Sequence, residues 1–159
     1  MKHLWAPWRV EYIRTKKTGG CILCEKPGQE KSNDAVNYIL YRGERNFVIM
    51  NTYPYSPGHL MVAPYRHVAS LEELTGDELH EHYDIVSRTI KVLREAFSPD
   101  GFNLGMNLGK AAGAGIDNHI HTHIVPRWQG DTNFITVISD LRVVPEALTE
   151  TYKVLKGKF

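Results

Sequence analysis

The sequence predicts an α+β domain in which about five antiparallel strands form one sheet, with one long helix and one or two short helices. Three observations support this prediction. A strand hairpin and a third strand occupy the first half of the chain, one long amphipathic segment follows, and two more strand-like segments come after it. Strands grouped on either side of a single long helix are typical of α+β architecture rather than of regular βαβ repeats.

The first three strands are predicted from apolar segments separated by turns. Residues 37–42 (NYILYR) and 46–50 (NFVIM) flank Gly43-Glu44, which indicates a tight antiparallel hairpin. A loop with two prolines, residues 51–58 (NTYPYSPG), then leads to a third strand at residues 59–64 (HLMVAP).

The long helix is predicted at residues 76–97. Its apolar residues alternate in spacings of four and three, which places them on one face: Leu79, Tyr83, Val86, Ile90, Leu93 and Phe97. Thr75 and Glu78 fit a capping box at its start, and residues 98–101 (SPDG) end it. His80 and His82 lie off the apolar face, so we expect both to be solvated.

The last elements are two strands and a short helix. Residues 102–108 (FNLGMNL) and 120–126 (IHTHIVP) are the predicted strands, and the glycine-rich segment 109–118 (GKAAGAGIDN) joins them. A short helix is expected at residues 145–157. No repeat or linker interrupts the chain, so its 159 residues are expected to form a single domain, residues 1–159.

Composition restricts the classes of partner and the compartment. A net charge of +1 gives no sign of a nucleic-acid partner. The apolar runs are much shorter than the ~18 residues of a membrane span, so no membrane partner is expected. The amino-terminal segment MKHLWAPWRVEYIR lacks the continuous apolar core of a signal peptide. The two cysteines, Cys21 and Cys24, are too few for a disulfide framework. We therefore expect a reducing, cytoplasmic compartment.

The segment 118–125 (NHIHTHIV) carries the clearest functional pattern. Alternate residues of a strand share one face, so His119, His121 and His123 are expected to lie side by side. Neighbouring positive charges lower one another's pKa, which keeps at least one imidazole neutral near pH 7. A neutral imidazole is a nucleophile or a metal ligand.

This segment resembles the signature of the histidine triad (HIT) superfamily, which has three histidines at alternate positions followed by two apolar residues. The family usually has an apolar residue where Thr122 stands, on the face opposite the histidines. The resemblance covers nearly the whole chain. Residues 4–9 (LWAPWR) and 126–134 (PRWQGDTNF) resemble a prokaryotic branch similar to diadenosine tetraphosphate phosphorylases and hydrolases.

The resemblance implies a HIT-like fold and an enzyme that cleaves dinucleoside polyphosphates at the α-phosphate through a nucleotidyl-histidine intermediate. It makes His121 the nucleophile and places His123 and His59 near the phosphate and the leaving group. It leaves open whether water or phosphate discharges the intermediate. A nucleoside phosphoramidase and a non-catalytic nucleotide-binding module are the alternatives. Transfer to a sugar phosphate is disfavoured, because that branch carries Gln where His123 stands.

The resemblance also implies residues that bind the nucleotide. Asn51 matches the position that binds the ribose hydroxyls, and Asn107 would supply an amide to the phosphates. Backbone N–H groups around Gly113 and Ala114 can approach an anion closely. Lys110 is placed to meet a distal phosphate, and a solvated surface lysine is the equal alternative.

The glycine-rich segment departs from the family pattern in one respect. From Asn107 to His119 this chain is one residue longer than many members, and Ala114-Gly115 stand where they often carry Gln or Ser near the scissile phosphate. A backbone N–H is the expected replacement for that side chain.

The CxxC motif formed by Cys21 and Cys24 is half of a zinc site. A thioredoxin-like redox pair is the alternative, but no βαβ unit surrounds it. His67, which follows the third strand, is the best candidate for a third ligand. Zinc-carrying relatives use the first triad histidine as the fourth ligand, which here is His119. Four ligands make a closed, structural zinc site, which would attach the polar excursion at about 14–35 to the rest of the domain.

Family members are typically homodimers, so the resemblance also implies a homodimer here. Trp5, Trp8 and the long helix are the candidate contacts. The expected partners are therefore a nucleotide substrate, zinc and a second copy of the chain.

Overall fold

A computed structural model of the chain describes residues 20–113, 115–116, 118–131 and 146–159. The expectations for Trp5, Trp8, Ala114 and residues 132–134 lie outside the described residues. The first part of the excursion predicted at 14–35 and the first residue of the helix predicted at 145–157 also lie outside them.

The described residues form five strands, four α-helices and three short 3₁₀ turns. In chain order the helices and strands are α1 (Ile22–Glu25), α2 (Asp34–Asn37), β1 (Ile39–Arg42), β2 (Asn46–Met50), β3 (Leu60–Pro64), α3 (Gly76–Phe97), β4 (Gly101–Gly105), β5 (Thr122–Arg127) and α4 (Leu148–Leu155). The 3₁₀ turns are Lys31–Asn33, Leu71–Glu73 and Lys110–Ala112. None of the described helices is long and apolar enough to cross a lipid bilayer.

The five strands form one antiparallel sheet in the order β1-β2-β3-β5-β4. This confirms the predicted α+β class and its antiparallel sheet. The histidine-bearing strand β5 is internal: His123 lies opposite Met61 of β3 and opposite Gly105 of β4. Backbone pairing on both sides fixes the position of His123 more tightly than an edge strand would.

The sheet is covered on both faces, so β2 and β3 are buried along their whole length. On one face Val48, Leu60 and Ile124 pack with residues of α3 such as Val86 and Leu93. On the other face the apolar cluster comprises Leu23, Ile39, Phe47, Ile49, Met61 and Ala63. Leu23 of α1 is fully buried there, and burial of one leucine side chain contributes about 2 kcal/mol. The described part of the excursion, residues 20–35, therefore packs on the sheet through Leu23.

Helix α3 begins and ends as predicted, and Thr75 and Glu78 form the predicted capping box. Its buried face differs from the predicted one. Tyr83 is 50% exposed, whereas His82 is completely buried. The prediction that His82 is solvated is therefore wrong, while His80 is exposed as expected.

His82 can be buried because both of its ring nitrogens have a partner. Nδ1 lies 2.9 Å from Oδ1 of Asn46, and Nε2 lies 2.7 Å from Oγ1 of Thr122. Burying a polar group is costly only when it lacks a hydrogen-bond partner. Apolar periodicity detects hydrophobic residues alone, so it could not find a buried histidine with polar partners.

The burial of His82 predicts that acid destabilises the fold. Burial lowers the pKa of His82 to about 4, despite the opposite effect of the Glu81 carboxylate. The unfolded value is about 6.5, so between these pH values the unfolded chain binds a proton that the folded chain does not. The contribution of neutral His82 to the free energy of unfolding is fully present above pH 6.5. It falls by up to about 3 kcal/mol as the pH decreases to 4.

Urea unfolding at pH 7 and pH 4.5 measures this effect. Relative to the wild type, His82→Gln should lose less stability between the two pH values, and the exposed control His80→Gln should behave as the wild type does. Equal losses in the wild type and in His82→Gln would contradict the assignment to His82.

Three strand boundaries differ from the prediction by two residues or more. Asn37 ends α2 instead of beginning β1, because Tyr38 has a left-handed backbone (φ 58°) that ends the helix. Strand β4 ends at Gly105 instead of residue 108. Strand β5 begins at Thr122 instead of Ile120, whose N–H donates to Val68 O (2.7 Å) in a loop. His119 and His121 therefore precede the strand, and only His123 lies within it.

Candidate active site and metal site

The three histidines of residues 119–123 contact two different groups of side chains. Nδ1 of His119 lies beside the two cysteines, whereas His123 contacts His59. The ring of His121 contacts that of His123, with ring centres 4.7 Å apart and nearly perpendicular planes. One short segment therefore contributes to two clusters, His119 to the first and His121 with His123 to the second.

The first cluster brings together the four predicted metal ligands. Sγ of Cys21 lies 3.3 Å from Nδ1 of His119, and Sγ of Cys24 lies 3.3 Å from Nδ1 of His67 and 3.4 Å from Nδ1 of His119. One ligand atom from each residue lies within 4.8 Å of all the others. Tetrahedral zinc bound to sulfur and nitrogen has ligand–ligand distances of about 3.3–3.8 Å. The residues present therefore fit a Cys₂His₂ metal site.

The tautomer of His119 suits a metal ligand. Its Nε2 lies 2.8 Å from the carbonyl oxygen of Pro64, which can only accept a hydrogen bond. The proton of the neutral ring is therefore on Nε2, and Nδ1 presents a lone pair to the cysteines. Metal-binding histidines are commonly oriented in this way by a carbonyl behind the ring. Burial also lowers the pKa of His119, which favours the neutral ring.

The cysteine pair is suited to a cation rather than to free thiolates. Burial, and after it the neighbouring Cys21, raises the pKa of Cys24 to about 11. A second negative charge beside the first is unfavourable unless a positive ion lies between them. A dication held by Cys21 and Cys24 would supply that charge and favour the thiolate form of both side chains.

The excursion that carries the cysteines is held in place by Arg42 of β1. The guanidinium donates to both carboxylate oxygens of Asp34 at 2.7–3.1 Å and to the carbonyl oxygen of Pro27 at 2.7 Å. With the buried side chain of Leu23, these contacts fix the excursion on the sheet through bonds that do not involve a metal. The ligands are therefore arranged by the fold.

The second cluster is a chain of hydrogen bonds that ends at His123. Tyr53 N–H donates to Asn51 Oδ1 at 2.8 Å, so the amide nitrogen of Asn51 faces His59 Nδ1, at 3.4 Å. Tyr55 N–H also donates to His59 Nδ1, at 3.1 Å. Neutral His59 therefore carries its proton on Nε2, which lies 3.0 Å from Nδ1 of His123. His123 in turn carries its proton on Nε2.

The tautomer of His121 is fixed by its own chain segment. Its Nδ1 lies 2.9 Å from the carbonyl oxygen of His119, so Nδ1 carries the proton and Nε2 carries the lone pair. Burial lowers the pKa of His121, and burial together with the neighbouring His121 lowers the pKa of His123 to about 4. Both rings are neutral at pH 7, with a lone pair on His121 Nε2 and a proton on His123 Nε2.

The predicted phosphate-binding residues lie beyond the end of β4. Gly105 is opposite His123, and the same register continued by two residues would place Asn107 opposite His121. Lys110 is exposed in the 3₁₀ turn that follows. Gly109 and Gly113 flank this turn with positive φ angles of 77° and 82°, a conformation that favours glycine.

The sequence analysis missed two residues of the loop that precedes His59. The ring of Tyr55 lies 4.7 Å from that of His59 and 6.1 Å from that of His123, and Tyr55 is 47% exposed. Ser56 donates from Oγ to the carbonyl oxygen of Pro126 at 2.8 Å, which joins the loop to β5. An aromatic residue between two prolines shortly before His59 was the available signal for Tyr55.

Comparison with known proteins gives a match to the HIT domain family at residues 32–130. Among individual proteins, the chain is 38% identical over 161 residues to AP-4-A phosphorylase of Mycobacterium tuberculosis, an alignment that covers 98% of this chain and 83% of that protein. It is 34% identical over 93 residues to the asymmetrical bis(5'-nucleosyl)-tetraphosphatase of Schizosaccharomyces pombe, covering 58% of this chain and 50% of that protein.

Among solved structures, the chain is similar to a Zn-bound histidine triad family protein from Mycobacterium smegmatis. The TM-score is 0.68 and the sequences are 28% identical, with 88% of this chain and 93% of that chain covered. The fold predicted from the resemblance is therefore confirmed.

Proposed function

The chain belongs to the HIT domain family, and we propose that it cleaves dinucleoside polyphosphates of the diadenosine tetraphosphate type at the α-phosphate, through a nucleotidyl-histidine intermediate on His121. The observation that carries this proposal is the hydrogen bond from His121 Nδ1 to the carbonyl oxygen of His119, which leaves the lone pair on Nε2. Relatives with activities on such substrates, AP-4-A phosphorylase and the asymmetrical tetraphosphatase, support the substrate class.

In the proposed reaction Nε2 of His121 attacks the α-phosphorus. An N–P bond forms, and the bond to the bridging oxygen breaks, so that the leaving nucleotide departs with the electron pair. The leaving oxygen departs as a phosphate oxyanion, and His123 Nε2–H is the candidate donor of a hydrogen bond to it. His59 Nε2–H donates to Nδ1 of His123 across the 3.0 Å hydrogen bond and so holds His123 in this orientation. Water or phosphate then breaks the N–P bond and restores neutral His121.

Negative charge on the phosphate oxygens needs donors, because phosphoryl transfer depends on positioning and electrostatic stabilisation. We assign this role to the amide of Asn107, to Lys110 and to backbone N–H groups at Gly113 and Ala114. The N–H of Gly113 donates to the carbonyl oxygen of Lys110 at 3.0 Å and would exchange this hydrogen bond for one to the phosphate. Asn51 is assigned to the ribose by resemblance. Its amide also orients His59, so its substitution should affect both binding and turnover.

Zinc, in a structural role, is the metal that best suits the four residues Cys21, Cys24, His67 and His119. Two sulfur and two nitrogen ligands match its preferred tetrahedral set. Four protein ligands leave no open position for a substrate. The four residues would thus join the excursion, residue 67 and the segment before β5.

We also propose that residues 1–159 form a single HIT domain and that the protein acts as a cytoplasmic homodimer. The free cysteines are arranged for a metal rather than for a disulfide, which agrees with a reducing compartment. Light scattering at micromolar concentration tests the dimer, and a monomer mass would contradict it.

Product analysis of diadenosine tetraphosphate turnover, with and without inorganic phosphate, tests the proposed function. ADP plus ATP formed only with phosphate would identify a phosphorylase, and AMP plus ATP without phosphate would identify a hydrolase. Absence of turnover in both conditions would contradict the proposal. Adenosine phosphoramidate would then distinguish a phosphoramidase from a non-catalytic nucleotide-binding module.

A further inference from the structure

We propose that His82 of α3 and Thr122 of β5 form a buried positioning pair that sets the orientation of His121 and His123 from the opposite face of the sheet. Neither residue belongs to the two clusters described above. Both are buried: His82 has no exposed surface and Thr122 has 4%. The kinetic part of this inference depends on the proposed function, but its structural part does not.

The hydrogen bonds of this pair have only one consistent arrangement. Nδ2 of Asn46 donates to the carbonyl oxygen of Glu78 (3.1 Å) and to Oε2 of Glu81 (2.9 Å). Oδ1 of Asn46 must therefore accept from His82 Nδ1–H, at 2.9 Å. This leaves the lone pair of His82 on Nε2, and the Thr122 hydroxyl must donate to it, at 2.7 Å. These hydrogen bonds link the Glu81 carboxylate on α3, through Asn46 and His82, to Thr122 of β5.

Glu81, at the start of this series of hydrogen bonds, is itself held in place. Its carboxylate accepts from the backbone N–H groups of Glu44 and Arg45 at 2.7 and 2.8 Å, at the β1–β2 turn. Asn46 is fully buried at the start of β2. His82 is therefore held by a rigid part of the fold, and it can act as a fixed point for Thr122.

Thr122 is the residue through which these hydrogen bonds can affect the reaction. It lies between His121 and His123 and is the first residue of β5. The two segments that meet there differ: His123 is paired with strands on both sides, whereas residues 119–121 lie outside β5. Anchoring the side chain of Thr122 restricts rotation of the backbone at this junction. That rotation sets the relative placement of the two imidazoles, whose ring centres are 4.7 Å apart.

The sequence holds a matched pair at these two positions. An apolar residue at position 122 would leave His82 Nε2 without a donor inside the core, and an apolar residue at position 82 would leave the Thr122 hydroxyl without an acceptor. A buried polar group that loses its partner carries a desolvation penalty, and a shift of the local structure toward a new partner would relieve it. Misplacement by about 1 Å can lower a rate up to roughly 100-fold.

The central experiment compares Thr122→Val with Thr122→Ser. Valine keeps the shape but removes the hydroxyl, and serine keeps the hydroxyl. We expect Thr122→Val to lower kcat for diadenosine tetraphosphate by roughly 10- to 100-fold with KM within about twofold, and Thr122→Ser to stay within about threefold of the wild type. A loss of thermal stability without a change in kcat per folded molecule would overturn the inference.

A double-mutant cycle shows whether the two residues act together. His82→Leu should lower kcat strongly in the wild-type background and much less in the Thr122→Val background, since the hydrogen bond is already absent there. Independent effects of the two substitutions would contradict a positioning pair. The exposed His80→Leu on the same helix is the matched control and should leave kcat unchanged. If Thr122→Val yields no folded protein, Thr122→Ala replaces it in the cycle.

A second readout does not depend on turnover. The imidazole C–H signals of His121 and His123 in ¹H–¹³C spectra should move in Thr122→Val and stay in place in Thr122→Ser and His80→Leu. If the wild type turns over no dinucleoside polyphosphate, the proposed function fails, and these shifts alone decide the inference. Unmoved signals in Thr122→Val would overturn it while leaving the proposed function intact.

Discussion

Replacing His121 by Asn is expected to lower kcat for diadenosine tetraphosphate by at least about 10⁴-fold, because it removes the lone pair that forms the N–P bond. Asparagine can still donate from its amide toward the carbonyl oxygen of His119, which now accepts from His121 Nδ1 at 2.9 Å. The pocket should therefore keep its shape. Nucleotide affinity, measured by calorimetry with a non-hydrolysable analogue, should stay within about threefold of the wild type, as expected for a group that acts in the reaction rather than in ground-state binding.

Two controls make this result specific. The exposed His80→Asn should retain full turnover, because His80 lies outside the histidine clusters. Incubation of the wild type with substrate labelled on the α-phosphate, followed by rapid quenching in base, should trap an acid-labile label on the protein that His121→Asn does not form. Retained turnover or a retained label in His121→Asn would remove His121 as the nucleophile.

Removing the proposed zinc is expected to have the second largest effect, on stability more than on catalysis. An ion present at a thousandfold excess over its Kd and bound only by the folded chain contributes about 4 kcal/mol. For a chain of this size this corresponds to a fall in Tm of about 10 °C on chelation. Activity per folded molecule should fall much less. The segment that orients His121 is also held by His119 Nε2 to Pro64 O (2.8 Å) and Ile120 N to Val68 O (2.7 Å).

Metal analysis and calorimetry with a matched variant test this expectation. The purified protein should contain close to one zinc per chain, and Cys24→Ser should lose most of it. A chelator should lower the Tm of the wild type but not that of Cys24→Ser, because the variant has no site left to empty. Native protein without zinc would contradict the four-ligand site. An equal loss of activity and stability would show that the metal also orients the reacting histidines.

The sequence was informative where a pattern repeats or a spacing is characteristic. The α+β class, the antiparallel sheet, the bounds of the long helix and its capping box followed from hydrophobic periodicity and from Thr75 and Glu78. The grouping of Cys21, Cys24, His67 and His119 was predicted from half a metal motif and a resemblance, and the structure brings the four together. Such features depend on local spacing or on a family signature, and both are visible in the chain alone.

The tertiary structure decided which nitrogen of each histidine carries a proton. Nothing in residues 118–125 shows that the carbonyl oxygens of Pro64 and His119 fix the tautomers of His119 and His121, or that the N–H of Tyr55 fixes that of His59. It also reversed the prediction for His82, since the partners that make its burial favourable are 36 and 40 residues away. Hydrophobic periodicity shows which apolar residues share a face. The burial and tautomer of a polar side chain depend instead on partners that are distant in the sequence and meet only on folding.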